Sequence, residues 1–195
     1  MQMHKSIQII KEEHASLSAM LQSMGLMIKR GPEQNKELFF KVLRAMLFYI
    51  DEFPEKKHHP KESSLLFPFI RERSSHVKDL IDKLEIDHKY GEYKIRELEH
   101  LLIGWEMLGD KKKVEFEHFS NQYINFYMQH MQLEESLVIP EALKVLTQAE
   151  WDTLDKEFAL NLDPLNPSSP RQSEYDHLFS QITQLTPAPI GFGDS

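Results

Sequence analysis

Residues 53–68 read FPEKKHHPKESSLLFP, and the interpretation of the whole chain starts from this stretch. His58 is followed four residues later by Glu62, so on a helix both side chains project in the same direction. Pro54, Pro60 and Pro68 interrupt the stretch, and each is expected to kink or break a helix locally. The stretch therefore predicts a helix that is disturbed at its prolines and presents a histidine and a carboxylate on one face.

On both sides of this stretch, apolar residues recur at steps of three and four, which is the period of an amphipathic helix. Four helices are predicted, with apolar stripes at residues 7–28, 39–69, 77–102 and 116–137. They are bounded by Gly31-Pro32, a start near Glu33, Gly109 and Pro140. Long helices with short connections predict an all-α, up-down-up-down four-helix bundle.

The C-terminal quarter of the chain is expected to lie outside this bundle. Residues 1–145 are assigned to the bundle, and residues 146–195 to a C-terminal helical extension and tail. The string TQAE at 147–150 predicts a capping box that opens one additional helix. A second short helix is expected over about residues 172–185.

Composition excludes several classes of protein. Because the chain has no cysteine, thiolate metal sites and disulfides are excluded, and any metal must be held by His, Asp or Glu. A net charge of -8 argues against a nucleic-acid partner, since no basic face is available to neutralise phosphates. No apolar run approaches the roughly 18 residues that cross a bilayer, so no membrane partner is expected. The N-terminus lacks the pattern of a secretion signal, and the expected location is cytoplasmic.

Each predicted bundle helix carries one histidine on, or next to, its apolar stripe, and three of these histidines are followed four residues later by glutamate. The candidate metal ligands are His14, His58, Glu62, His88, Glu92, His130 and Glu134. Surface histidines alone explain this poorly, because four chance hits on stripes would occur roughly 3% of the time. Unpaired buried carboxylates would cost several kcal/mol, and a cation removes that penalty.

The heights of these residues along the bundle give an independent check. His88 and His130 stand about equally far from the turn between their helices, which puts them within about 3 Å of one level. Glu62 and His88 also agree. His14 and His58 do not, since His58 lies about ten residues too far from its turn. We attribute this excess to the proline-rich stretch or to an overhanging second helix.

With these residues in place, the chain resembles the hemerythrin-like (HHE cation-binding) family over about residues 5–145. The family's order of ligands, H…HxxxE…H…HxxxE, is filled by His14, His58/Glu62, His88 and His130/Glu134. The stretch 53–68 is similar to the family's most recognisable segment.

The resemblance implies a di-iron centre in a hemerythrin-like bundle, with manganese or zinc as alternative metals. Glu62 and Glu134 would bridge the two metals. His14 and His58 would ligate one metal, and His88 and His130 the other.

Two departures argue against reversible oxygen carriage. Oxygen carriers of the family have a further histidine where this chain has Glu92, and they close the fourth-helix motif with an aspartate at a longer spacing where this chain has Glu134. Both departures favour relatives associated with iron handling, nitric oxide or peroxide defence, and repair of iron centres. Glu92 is either a seventh ligand or a partly solvated group near the site. His59 stays an alternative to His58, because Pro60 disfavours helical geometry at the residue before it.

The expected function is a non-haem di-iron centre that binds or reacts with O2, peroxide or nitric oxide, or takes part in iron handling. The alternative is a metal- or oxygen-responsive interaction module without turnover, and a third hypothesis is a metal-free helical scaffold. The expected ligand is a small diatomic molecule or a peroxide. A homodimer is the assembly that the sequence leaves open.

Overall fold

The computed structural model describes residues 4–32, 35–166, 169 and 173–193. Its α-helices are α1 (Lys5–Arg30), α2 (Lys36–Ile50), α3 (His59–Lys61), α4 (Phe67–Arg73), α5 (Lys78–Leu108), α6 (Lys113–Leu133), α7 (Ile139–Val145), α8 (Gln148–Phe158) and α9 (Asp176–Leu185). π-Helical turns span Asp51–His58, Glu62–Leu66 and Glu134–Val138, and 3-10 turns span Asp110–Lys112 and Ser173–Tyr175. The predicted helix starts near Glu33 and Gln172 lie outside the described residues.

The predicted all-α bundle is confirmed, and the described part of the chain contains no strand. The second bundle helix runs without interruption from residue 36 to 73, and the fourth from 113 to 145, because π-helical turns join their α-helical parts. Gly31 and Gly109 follow the first and third bundle helices with φ of 76° and 79°, a conformation that glycine adopts without steric cost. Within the described residues, no helix is long and apolar enough to span a bilayer.

The prolines disturb the second bundle helix locally, as predicted, but they do not end it. A proline lacks the N–H of an α-helical hydrogen bond and its ring crowds the carbonyl four residues earlier. The π-helical turns shift the pairing by one residue and leave room for that ring. Glu62 and Glu134 each begin such a turn, and Pro68 and Pro140 each occupy the second position of the α-helix that follows. The same local device therefore presents both glutamates of the predicted HxxxE motifs.

A polar layer divides the apolar interior of the bundle into two cores. The larger core surrounds Tyr49 and Trp105, and the smaller core surrounds Phe67 and Phe158. On α1, for example, Ile10 belongs to the smaller core and Leu17 to the larger one, with His14 between them. Each of the other bundle helices likewise contributes residues to one core on one side of its histidine and to the other core on the other side. The predicted HxxxE motifs therefore lie at the boundary between the cores.

The C-terminal helices pack on the bundle and contribute to both cores. The capping box predicted at Thr147 and Glu150 is confirmed and opens α8. Three apolar residues of α8 join the smaller core, and Phe179 and Ile182 of α9 join the larger one. The division of the chain into residues 1–145 and 146–195 stays a prediction.

Candidate metal centre

Imidazole side chains from four bundle helices meet in the polar layer as two pairs. His14 Nε2 lies 3.2 Å from His58 Nε2, and His88 Nε2 lies 3.0 Å from His130 Nε2. All four side chains are buried, with at most 8% of any residue exposed. We call His14 and His58 the first pair, and His88 and His130 the second pair.

Two fully buried carboxylates lie between the pairs. Glu62 Oε1 is 3.2 Å from His58 Nε2, and its Oε2 is 3.4 Å from His88 Nε2. Glu134 Oε2 is 3.3 Å from His14 Nε2, and its Oε1 is 3.1 Å from His130 Nε2. Each carboxylate thus presents one oxygen to each histidine pair, which is the arrangement of a group that bridges two cations.

The carboxylate oxygens and imidazole nitrogens are spaced as ligands of a cation, and the carboxylates make no hydrogen bonds with the described residues. None of the four oxygens of Glu62 and Glu134 makes a hydrogen bond with the described residues, although each is shielded from solvent. Separations close to 3 Å match the spacing of neighbouring ligands on one metal, because nitrogen and oxygen ligands lie about 2.0–2.2 Å from such an ion. Two groups of side chains have ligand atoms that all lie within 4.8 Å of one another. One group is the second pair with Glu62 and Glu134, and the other is the first pair with Glu62.

The outward-facing nitrogen of each histidine has an acidic or hydroxyl partner. His58 Nδ1 is 2.6 Å from Glu13, and His14 Nδ1 is 3.0 Å from Glu135. A ligand histidine whose Nδ1–H is held by such a partner keeps Nε2 free and correctly oriented for a metal.

The second pair repeats this pattern. His88 Nδ1 is 2.8 Å from the Ser63 hydroxyl, and His130 Nδ1 faces the Asp87 carboxylate over 3.5 Å, a charge contact without a hydrogen bond. Glu13 precedes His14 and contacts His58, and in the same way Asp87 precedes His88 and contacts His130. Ser63 follows Glu62 and contacts His88, and Glu135 follows Glu134 and contacts His14. The two HxxxE motifs are therefore embedded in two halves of similar construction.

Protonated imidazoles offset the negative charge of the two carboxylates. Burial lowers the pKa of His130, but Glu134 and Asp87 outweigh it and raise the pKa to about 10. Burial raises the pKa of Glu134, but contact with His130 and His14 holds it well below its usual value. The pKa of His58 is raised well above its usual value, because Glu62 and Glu13 outweigh the effect of burial. A bound cation would take over this charge compensation and release the protons.

Comparison with protein families agrees with this geometry. The family described as hemerythrin HHE cation binding domain matches residues 5–142. The chain belongs to this family. A comparison with curated proteins finds no match. The matched range contains the four histidines of the two pairs and both glutamates. The family and the cluster together make this a metal-binding protein.

Six of the seven candidate ligands predicted from the sequence meet in this cluster, and Glu92 does not. We call the two histidine pairs together with Glu62 and Glu134 the HHE centre. The Glu92 side chain is 54% exposed, and its carboxylate lies 2.5 Å from the Arg96 guanidinium. On α5 the buried face passes through His88, Gly91 and Ile95, so the inward position one turn after His88 belongs to Gly91. The structure therefore gives no support to Glu92 as a ligand of this cluster.

The sequence posed His58 and His59 as alternatives, but the structure buries both of them. His59 has helical dihedral angles despite the proline that follows it. Consecutive helical residues point about 100° apart, so the doublet can serve both halves of the centre. A third group of donors joins His59 to the second pair, His88 and His130. The rings of His59 and His88 stack with centroids 4.4 Å apart. The HH doublet was the signal in the sequence that could have predicted this.

A buried cluster behind His59 was not predicted. Glu55 Oε2 lies 3.1 Å from His59 Nδ1, and Glu55 Oε1 accepts hydrogen bonds from the hydroxyls of Tyr123 and Tyr127. Burial raises the pKa of Glu55 to about 7, although the tyrosine hydroxyls lower it. Gly91 of α5 lies directly against this cluster. Glu55 thus holds His59 in the way that the other acidic residues hold the paired histidines.

A narrow cavity adjoins the first pair. Together with the open solvent at its mouth it has about 310 Å³ of space between atoms, and a water-sized molecule fits within it. Leu17 and Phe53 form part of its apolar wall, and His14 and His58 line it. A small molecule in this cavity can therefore approach the first pair without crossing the bundle core.

Proposed function

We propose that the HHE centre binds two iron ions and that the protein binds or reacts with O2, peroxide or nitric oxide. The observation that carries the proposal is the position of Glu62 and Glu134. One oxygen of each carboxylate faces the first pair, and the other oxygen faces the second pair. Imidazole and carboxylate ligands suit iron, and manganese or zinc are the alternatives for such a donor set. Two irons would supply the electron-transfer and small-ligand chemistry of the site.

The proposed ligands divide unequally between the two metal positions. The first position has His14 and His58, and the second has His88, His130 and His59. Each glutamate has one oxygen near a histidine of either pair, so both positions share the two glutamates. With fewer protein donors, the first position is the one with room for a ligand from solution. The cavity is lined by both histidines of this position and by His59 of the other. Its contact with both members of the first pair supports the assignment of small-molecule binding to the first position.

The surrounding residues would keep the centre ordered and dry. Hydrogen bonds with Glu135, Glu13 and Ser63 fix the rings of His14, His58 and His88. Asp87 faces His130 in a longer charge contact. The cavity is narrow, so only small molecules can enter it. This favours diatomic ligands and peroxide over larger substrates.

Loading the protein with ferrous iron under anaerobic conditions tests this proposal. Addition of O2, hydrogen peroxide or nitric oxide should produce visible or near-ultraviolet charge-transfer bands at a stoichiometry of two irons per chain. Glu134→Gln should remove most of these bands, because it removes a shared ligand. If wild-type protein with two bound irons gives no such band with any of the three, the proposed reactivity is wrong.

A metal-responsive interaction module is the second candidate, and one contact favours it. Asn161, in the loop after α8, donates a hydrogen bond to Glu13, which holds His58. Metal binding could therefore order the C-terminal helices for a partner. This candidate predicts that iron protects the extension from proteolysis without any turnover. A cytoplasmic location and a homodimer stay predictions.

A further inference from the structure

The loop after α8 forms part of the wall of the cavity beside the first pair. Asn161 and Asp163 line the cavity together with His14 and His58. Both loop residues are almost fully buried, with 2% and 3% of their surface exposed. They lie beyond residue 142, where the family match ends. This chain therefore adds polar groups to its HHE centre from outside the region that defines the family.

The backbone of the loop turns both polar side chains inward. Leu162, which lies between them, has φ of 52°, a left-handed conformation that non-glycine residues rarely adopt. Asp163 is held on one side, since its carboxylate accepts hydrogen bonds from the Tyr49 hydroxyl and from the Leu165 backbone N–H. Phe158, at the end of α8, packs its ring against that of His58 with centroids 5.9 Å apart. The loop is thus anchored at both ends next to the first metal position.

The orientation of the Asn161 amide follows from its partner. Asn161 Nδ2 donates to Glu13 Oε2 over 2.9 Å, and the same oxygen lies 2.6 Å from His58 Nδ1. A carboxylate oxygen accepts hydrogen bonds, so the amide must direct its NH2 group towards Glu13. Asn161 Oδ1 is consequently the other end of the amide. It is buried and has no hydrogen-bond partner among the described residues.

A buried acceptor without a partner is costly, and a ligand that carries a hydrogen removes the cost. We propose that Asn161 is a specificity-determining residue, whose Oδ1 accepts a hydrogen bond from a small O–H ligand bound in the cavity. The chemical class is hydrogen peroxide or another hydroxylic small molecule. Nitric oxide has no hydrogen to donate and gains nothing from this group. The inference rests on the proposed function of the centre and adds a preference among its ligands.

Comparison of two probes on the iron-loaded protein tests this preference. The first probe is hydrogen peroxide, which takes up two electrons and two protons and leaves as two water molecules. The measured quantity is the rate constant for oxidation of the ferrous protein. The second probe is nitric oxide, with its affinity read from the absorption of the nitrosyl form. Asn161→Leu, which keeps much of the volume, should slow the peroxide reaction about tenfold and change the nitric oxide affinity less than about twofold.

Asn166 provides a matched control in the same loop. Its amide donates to Glu12 of α1 over 2.8 Å, and it does not line the cavity beside the first pair. Asn166→Leu should leave the ratio of the two measurements unchanged, whereas Asn161→Leu and Asn161→Ala should both lower it. Equal loss with both probes would overturn the inference, and so would an unchanged peroxide rate or the same profile for Asn166→Leu. If wild-type protein responds to neither probe, the proposed function itself fails.

Discussion

Gly91 lies directly opposite the hydroxyl of Tyr127, so closely that a Cβ on Gly91 would stand 1.8 Å from that oxygen. The same Cβ would stand 2.9 Å from both carboxylate oxygens of Glu55. The missing side chain therefore makes room for the cluster that holds His59 against the second pair. A glycine in the interior of a long helix weakens that helix, and here the space it leaves is used by the site.

Gly91→Ala should destabilise the protein by about 1–3 kcal/mol, because the methyl group displaces Tyr127 and Glu55 in a packed interior. Thermal denaturation of the metal-free protein measures this effect. Gly104→Ala is the matched control on the same helix, since a Cβ there meets nothing within 4 Å. That change should stabilise the protein by about 0.5–1 kcal/mol through helix propensity. A harmless Gly91→Ala would contradict the packing described around Glu55.

Much of the fold follows from the sequence, because periodic apolar stripes determine which face of each helix is buried. The predicted common height of His88 and His130 is confirmed by their contact. Part of the misfit of His14 and His58 came from counting from Gly31, since α2 begins only at Lys36, and part came from the π-helical stretch, where α-helical spacing does not apply. Local spacing could not predict that the proline-bearing turns would continue the helix.

The predicted site was less complete than the predicted fold, and the reasons are geometric. An i,i+4 rule selected Glu92, but the buried face of α5 turns through Gly91. The contact of Glu13 with His58 depends on tertiary packing, which leaves no mark in local spacing. Glu55 does lie four residues before His59 on the same helix, but that spacing alone does not tell a buried pair from a pair on the surface. Asn161 reaches the centre from the C-terminal extension, a region whose sequence has no periodic relation to the ligands.

Glu62→Gln should lose most of the bound metal, because the amide cannot bridge two cations as a carboxylate does. Metal content after dialysis against buffer, measured by elemental analysis, is the readout. Glu92→Gln is the control, since Glu92 is exposed and pairs with Arg96. It should retain the metal content of the wild type. Loss of metal in Glu92→Gln would restore the ligand predicted from the sequence.

His59→Ala should lower the metal content from two ions towards one per chain, because the second position would lose a nitrogen donor. Titration of the metal-free protein with ferrous iron measures the stoichiometry. His100→Ala, an exposed position on α5, serves as the comparison and should still bind two ions. Two tightly bound ions in His59→Ala would show that His59 is only a packing residue.

The stability of the metal-free protein should be greatest between about pH 4.5 and 6.5. The pKa of His130 is about 10 when folded and 6.5 ordinarily, so its contribution is complete below pH 6.5 and is lost as the pH rises towards 10. Glu134 has its pKa well below the ordinary 4.5, so its contribution is lost as the pH falls below 4.5.

Urea denaturation in the presence of a chelator, repeated across this pH range, measures both effects. The loss on the alkaline side should be on the order of a few kcal/mol. His130→Gln should flatten that side of the profile and leave the acidic side in place. A wild-type stability that rises steadily from pH 6.5 to 9 would be inconsistent with protonated imidazoles in the centre.

Anomalous X-ray scattering at the iron edge, from crystals of the iron-loaded protein, tests the central claim most directly. Two peaks should appear between Glu62 and Glu134, one beside the first pair and one beside the second. A single peak, or peaks away from these two glutamates, would contradict the assignment of a shared two-metal centre.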